Sequence, residues 1–393
     1  MHDDLDLLVI GSGYAGLWAA LSAARQRAVL GATLRIAMVS REPFLTARPR
    51  LYEFGLQSVD ARIAIGDALR EVDVEFIQGE VVGLERNAVV LADGRMLRAR
   101  ALLLATGSTV ATPVMPGAMQ YCANADSAAA AQSMWQRASA LPDHATIVVL
   151  GGGFTGIELA CELAGWRRTA KPALQVLLLD RGAIAAGYER ASRRAITDVL
   201  AQLGVTMLEG CTVERVDAGR LQLEDGTAIS CDLPVWAGGL QTSALVPALA
   251  QLSATTLYAD GRLEVGRTLQ LANAANWFAA GDVAAARVED GHRTTFSCQH
   301  ALSLGTCAGH NAVSWLCAAA LRDYAPRPYA TCLDLGPDTA LLTRGFTREL
   351  VNVGPAVKPT KQYINRRLIV PPTAGGRAAL LAGADPDEAA RVD

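Results

Sequence analysis

Asp6 to Arg25 reads DLLVIGSGYAGLWAALSAAR. Leu7, Leu8, Val9 and Ile10 form a short apolar run, the pattern of a parallel strand buried on both faces. Gly11, Gly13 and Gly16 follow at G-x-G-x-x-G spacing, and Leu17 to Arg25 continues as a helix. Gly11 permits the tight turn, Gly13 lets backbone approach a pyrophosphate, and Gly16 lets the helix sit close on the strand. The helix N-terminus then offers free N–H groups and partial positive charge to phosphates. Strand, glycine turn and helix in that order predict a dinucleotide site; the glycine spacing without them would be a turn and no more.

The rest of the chain bounds what such a site could serve. At 393 residues there is room for two or three domains. The chain is 51% hydrophobic and 19% charged, the balance of a well-packed globular protein. A formal charge of -3, with no basic run interleaved with aromatics, argues against a nucleic-acid partner. The acidic start, Met1-His2-Asp3-Asp4, has the wrong sign for a secretion signal. Ala301 to Leu321 is apolar, but Ser303, Thr306, His310, Asn311 and Ser314 make it a buried helix rather than a membrane span. The eight cysteines are scattered, with no C-x-x-C, which argues against zinc and a dithiol motif and for a reducing cytoplasm. Basic residues are nearly all arginine; the lysines are Lys171, Lys358 and Lys361, a bias that reads as genome composition.

Working outward from the first turn, Leu34 to Val39 is the second strand. A carboxylate usually follows such a strand to bind an adenosine ribose. Here Ser40 and Arg41 follow instead, one able to bond the ribose and the other to lie over an adenine. A short helix near Ile65 to Glu71 comes next, then strands at Val74–Ile77, Glu80–Glu85, Ala88–Leu91, Met96–Ala101 and Ala101–Ala105. Asp93-Gly94 marks a tight turn. Thr106-Gly107-Ser108 closes the last strand with small residues that let backbone lie against a ring or phosphate.

The same order then recurs. Thr146 to Leu150 is apolar, Gly151-Gly-Gly-Phe-Thr-Gly156 is a second glycine turn, and Ile157 to Ala164 starts a second helix. Val176–Leu179, Val205–Leu208, Thr212–Val216 and Leu221–Leu223 follow as strands, with a tight turn at Asp225-Gly226. Leu233 to Trp236 then leads into Ala237-Gly238-Gly239. Two glycine turns with matching downstream hairpins predict two nucleotide-binding units of one topology. Asp180 ends the second unit's strand, placed for a ribose 2′-OH and against a 2′-phosphate, which favours NADH; Arg181 beside it leaves NADPH open. Glu158, on the first turn of the second helix, either reaches the nicotinamide ribose or complements the helix dipole.

Beyond Thr255 an apolar strand, Trp277 to Ala280, ends in Gly281-Asp282, and a helix runs from His300 to Leu321. Strands are expected at Thr339–Leu342 and Glu349–Val353. After Pro372 the chain is rich in Ala, Gly and Asp and is expected to be mobile.

Taken together, the pattern resembles the two-dinucleotide-binding-domain flavoproteins, and within them the type II NADH dehydrogenase-like group. The motifs are Gly11-Ser-Gly-Tyr-Ala-Gly16, Leu104-Ala-Thr-Gly107, Gly151-Gly-Gly-Phe-Thr-Gly-Ile-Glu-Leu-Ala160, Trp236-Ala-Gly-Gly239 and Ala280-Gly-Asp282. Pro49-Arg-Leu-Tyr-Glu53 also looks like that group. The fold class is therefore α/β: two Rossmann-like domains, each a βαβ unit plus a three-stranded meander, with a C-terminal α+β segment. Expected boundaries are 1–110 and 251–325 for a split FAD-binding domain, 111–250 for the NAD(P)H-binding domain, and 326–393 for the C-terminal segment.

The resemblance implies FAD held by Gly11, Gly13, Tyr14, Ala15, Gly16, Ser40, Arg41, Arg48, Val82, Ala105, Thr106, Gly107, Gly281, Asp282 and Gln299. It implies NADH held by Gly151, Gly153, Phe154, Thr155, Gly156, Glu158, Asp180, Gly238 and Gly239. Hydride transfer needs the nicotinamide close against the flavin with water excluded, and the cofactor supplies that chemistry. Cys298, Gln299 and His300 are expected to line the acceptor side, His300 as a proton donor or a packed ring, Cys298 as a thiolate or a buried apolar group. Quinone-reducing members carry an A-Q-x-A-x-Q stretch there; Gln299 and Ala301 match it, whereas Cys298 and Ser303 depart. Lys361 to Ile369 is basic and partly apolar but is stopped by Pro371-Pro372. The implied function is electron transfer from NADH through FAD to a quinone or similar small acceptor, with an oxygenase or oxidase, or a reductase for a small redox protein, as alternatives. At most a peripheral contact on the inner face of the cell membrane is implied, and a homodimer is left open.

Overall fold

The computed structural model describes residues 5–53, 60–288 and 291–388. The acidic start and the end of the Pro43–Leu56 segment therefore lie outside the described residues, as do positions 389–393.

Two parallel sheets repeat one strand order. In the first, Glu75–Gln78, Ile36–Ser40, Leu5–Ile10, Met96–Leu104 and Ala274–Ala279 lie side by side. In the second, the order is Val205–Leu208, Gln175–Leu179, Thr146–Leu150 and Leu233–Trp236. In both, the strand that opens the unit sits between its second strand and the strand that closes the meander. The chain must return after the second unit to complete the first sheet. Leu7, Leu8, Val9, Trp277 and Phe278 are buried in that sheet's core, each contributing about 1.5–3 kcal/mol on removal from water.

Met96–Leu104 is one strand where the sequence suggests two. Its first half pairs antiparallel with Ala88–Val90 and its second half runs parallel to Leu5–Ile10. Alternating burial through Ala99 gives way to continuous burial from Ala101, because one half lies on the meander and the other inside the sheet. Helices also begin earlier than their apolar patterns do, at Tyr14 and Phe154, because the glycine turns themselves are the caps.

The Cys298–Leu316 helix lies along Tyr14–Val29 at backbone contact. A Cβ at Gly305 would fall 2.2 Å from Ala15 O, and one at Gly309 would fall 2.0 Å from Ala19 O. The helix ends at Leu316 rather than Leu321, and Ala318 takes a left-handed conformation with φ 53°. Among the described residues no helix is long and apolar enough to cross a membrane.

The C-terminal segment starts with a three-stranded antiparallel sheet, Ala330–Asp334, Ala340–Arg344 and Glu349–Gly354. The turn after Asp334 packs on the second glycine-turn helix; a Cβ at Gly165 would meet Pro337 Cδ at 2.5 Å. Lys358–Tyr363 and a π-turn, Ile364–Leu368, follow. The stretch after Pro372 departs from its expected mobility: Gly376–Gly383 is a helix, with Leu380 buried in the first core and Asp385 paired with Arg25.

Gly309→Ala places a methyl where a carbonyl oxygen stands. It is expected to cost about 1–3 kcal/mol, read as a lowered thermal midpoint, whereas alanine at Gly66, where an added Cβ meets nothing within 4 Å and the backbone is not left-handed, would leave the midpoint nearly unchanged.

Candidate active site

Both glycine turns are built to bring backbone against a ligand. A Cβ on Gly11 would lie 2.5 Å from Ala105 O, and one on Gly151 would lie 2.6 Å from Ala237 O. A Cβ on Gly16 would fall 1.9 Å from Gly11 O, and one on Gly156 would fall 1.8 Å from Gly151 O. Gly13 and Gly153, by contrast, face open space at the helix starts, and neither start has a side-chain cap. Uncapped N–H groups beside an open glycine suit a pyrophosphate.

Around the first turn, Ser40 Oγ lies 2.8 Å from Ser12 Oγ. Arg41 reaches outward to Glu42 and Glu80, and Val82 is exposed on the meander. Arg48 donates to Ser108 O at 2.9 Å and pairs with Asp126. Ser108 Oγ in turn donates to Asp282 Oδ2 at 2.5 Å. Gly281, at φ 76°, sits so close that a Cβ there would touch Ala15 Cβ at 2.7 Å, which holds Asp282 beside the first cradle. Burial raises the Asp282 carboxyl, with Ser108 and Arg48 pulling it back. Ala105 is buried, Gly107 is open at φ 66°, and Thr106 Oγ1 lies 2.7 Å from Ser243 Oγ across the two units. Tyr14 Oη is buried with no hydrogen-bond partner among the described residues. An orphaned phenol, a half-buried carboxyl and an uncapped glycine turn fit a dinucleotide there.

Around the second turn, Asp180 accepts from Gly152 N–H at 2.6 Å and from Gly182 N–H at 2.7 Å, one bond per oxygen. Each oxygen keeps a lone pair for a ribose hydroxyl. Thr155 is exposed, Gly239 is open at φ 99°, and Gly238 leaves no room for a Cβ beside the Trp236 ring.

Glu158 is neither at the surface nor free. Lys361 Nζ donates to Glu158 Oε1 at 2.8 Å and to Cys332 O at 3.0 Å, and Asp334 N–H also donates to Glu158 Oε1 at 2.9 Å. The Lys361 ammonium stands 5.4 Å from the Phe154 ring centroid and 5.7 Å from that of Tyr52. Tyr52 comes from the first unit, Phe154 and Glu158 from the second, and Lys361 and Asp334 from the C-terminal segment, so all three meet here. Tyr52 Oη donates to Asp334 Oδ2 at 2.9 Å, and Lys358 Nζ reaches both Asp334 oxygens at 2.6 and 2.7 Å. Burial raises Glu158 to about 7, with Lys361 opposing. Burial also acts against the Lys361 ammonium, but Glu158 more than offsets it with Asp334 and Cys332, and its pKa ends above the ordinary value. Two of the three lysines thus converge on one buried place, which composition does not explain. The pairing was hidden because Glu158 and Lys361 lie 203 positions apart; the scarcity of lysine was the available signal.

The expected acceptor-side residues have different surroundings. Gln299 Nε2 donates to Pro328 O at 3.1 Å and its Oε1 accepts from Ala330 N–H at 3.2 Å, so the amide ties the helix start to the C-terminal sheet. His300 is a packed ring: its Nδ1 accepts from Thr295 N–H at 3.0 Å and it stacks on Tyr329 at 4.8 Å. Burial lowers His300 to about 4, so it is neutral at physiological pH and holds no proton to give as a cation. Burial raises the Cys298 thiol to about 11, which leaves a protonated thiol in place of a thiolate.

A family model described as pyridine nucleotide-disulphide oxidoreductase matches residues 5–305. The NADH dehydrogenase-like protein Rv1812c of Mycobacterium tuberculosis is 36% identical over 397 residues, covering 97% of this chain and 98% of that protein. Demethylphylloquinone reductase NdbB of Synechocystis is 26% identical, with 86% of each chain covered. The sulfide:quinone oxidoreductase of Aquifex aeolicus has a similar fold, with a TM-score of 0.75 at 17% identity over 93% of this chain and 90% of that one. Duplicated glycine cradles and the match across most of the chain agree: the protein is an oxidoreductase that belongs to the pyridine nucleotide-disulphide oxidoreductase family.

Proposed function

We propose that the protein oxidises NADH through bound FAD and passes the electrons to a quinone or quinone-like small acceptor. The unit formed by 1–110 and 251–325 holds FAD, and 111–250 holds NADH. Among the relatives, a demethylphylloquinone reductase and a type II NADH:quinone oxidoreductase carry quinone acceptors in their names, which supports the acceptor class. The observation that carries the reading is the buried Glu158–Lys361 pair where both cradles and the C-terminal segment meet.

The reaction is NADH + H⁺ + quinone → NAD⁺ + quinol. Bound FAD supplies the hydride-accepting, two-electron chemistry. The chain's residues do the rest. Gly13, Gly153 and their helix starts hold phosphates, and Asp180 takes the ribose hydroxyls. Lys361 places a desolvated positive charge where negative charge develops on acceptor oxygens. Glu158, raised to about 7 by burial, is a carboxyl able to donate and regain a proton at neutral pH. Tyr52 and Phe154 lie against the pair, and side-chain exposures of 4% at Lys361 and 5% at Glu158 keep bulk water away from it.

Anaerobic NADH is expected to bleach the flavin absorbance of the holoprotein, and a soluble quinone to restore it. No bleaching, or oxygen uptake stoichiometric with a hydroxylated product, would overturn the reading. Asp180→Ala is expected to raise the KM for NADH about tenfold or more by removing charged hydrogen bonds, with NADPH affected much less; steady-state kinetics with both nucleotides checks it. The quinone-linked kcat is expected to fall as pH rises above about 7, where Glu158 loses its proton. Glu158→Gln should remove that limb from the pH profile and lower the plateau by about a hundredfold.

A further inference from the structure

Between the two cradles an ion pair crosses from one unit to the other. Arg48 opens the short helix Arg48–Glu53 of the first unit. Asp126 stands in the second. Ala123, three residues before it, pairs parallel with Val235 and accepts from Trp236 N–H at 2.7 Å, and the Ala128–Ala140 helix begins just after it. Arg48 Nη2 donates to Asp126 Oδ1. The other oxygen, Asp126 Oδ2, accepts from Val110 N–H at 2.7 Å, on the strand Ser108–Val110 that pairs with Leu240–Thr242 between the units. At the start of that strand Arg48 Nη1 donates to Ser108 O at 2.9 Å and to Ser108 Oγ at 3.1 Å. The Ser108 hydroxyl gives its own proton to Asp282 Oδ2 at 2.5 Å. The line therefore runs Asp126, Arg48, Ser108, Asp282, from the second unit to the carboxyl beside the first cradle.

Two features direct this line at a ligand. Arg48 also faces Tyr14, whose phenol is the orphaned group on the first glycine-turn helix. A guanidinium carries five N–H donors; Ser108 engages Nη1 and Asp126 engages Nη2, which leaves Nε–H without a partner among the described residues. As a fastener between the units the pair is weak. The side chains are 31% exposed at Arg48 and 16% at Asp126, and an ion pair open to water on one side adds little stability. As a guide for a guanidinium it is well made. A long side chain loses rotamer freedom when a ligand orders it, and fixing its plane beforehand removes that loss from binding.

We infer that Asp126 is a positioning residue through which the NADH-binding unit helps to hold FAD in the other unit: Asp126 fixes Arg48, and Arg48 with Ser108 fixes Asp282. The inference rests on the reading that FAD occupies the first cradle. FAD then meets a guanidinium and a carboxyl whose orientations are set before it arrives. Its retention depends on a side chain of the unit that does not bind it.

The test follows FAD release from the diluted holoprotein by the rise in flavin fluorescence. It compares wild type, Asp126→Asn, Asp126→Glu, Ser108→Ala, Arg48→Gln and the double variant Arg48→Gln/Asp126→Asn. Asparagine keeps an oxygen for Val110 N–H but removes the charge that holds Arg48. Asp126→Asn is expected to speed release about tenfold, the scale of ordering one long side chain at binding, and Asp126→Glu to return the rate toward wild type. Ser108→Ala, which cuts the line on its other side, should also speed release, and it decides the matter if the asparagine variant does not fold. The double variant should release FAD no faster than Arg48→Gln alone, because Asp126 acts through Arg48. A merely structural pair predicts additive effects instead. Release at the wild-type rate in Asp126→Asn or Ser108→Ala, or additive effects in the double variant, overturns the inference. A wild-type chain that takes up no FAD overturns the functional reading itself; a chain that holds FAD and loses it no faster without the Asp126 carboxylate overturns this inference alone.

Discussion

The structure depends on two places where a helix start is pressed onto a strand end so tightly that a single added carbon would collide with backbone. A Cβ at Gly16 or Gly156 would lie 1.9 or 1.8 Å from the carbonyl of the turn's first glycine. Each of these helices starts without a side-chain cap, beside a glycine that faces open space. Unsatisfied donors and the helix dipole at such a start suit an anionic ligand. The sheets, meanders and linking strands Ser108–Val110 and Leu240–Thr242 hold two such starts in one molecule.

A second constraint is electrostatic. Burying a lysine beside a glutamate costs desolvation that the attraction does not always return, and an apolar pair of the same size would often be at least as stable. The cluster around Glu158, Asp334, Lys358 and Lys361 is therefore poorly explained as a stabilising device. Its members come from three separate parts of the chain and close around Tyr52 and Phe154. Such an arrangement keeps the charges of Glu158, Asp334 and Lys361 together where 5% or less of each side chain is exposed.

Much of the architecture was legible because it obeys local rules. The glycine turns, the Asp93-Gly94 and Asp225-Gly226 hairpins and the apolar strands announce themselves by spacing and by the need for φ above zero, which Gly94 and Gly226 both adopt at 86°. The tail after Pro372 was misread because Ala and Gly composition suggests mobility, whereas Leu380 finds a place in the core and Asp385 a partner in Arg25. His300 and Cys298 drew notice as reactive residue types. Burial, which a residue's neighbours in sequence do not report, leaves one a neutral ring and the other an un-ionised thiol.

The sequence by itself determined the two nucleotide cradles, since a tight turn and its close backbone approach need particular residues at fixed short spacing. Only the tertiary structure decided which charged groups share a site. Glu158, Asp334 and Lys361 are distant in the chain, and nothing in their local patterns links them. Ion pairing acts through space at a few ångströms, and those distances exist only once the C-terminal segment folds across both units.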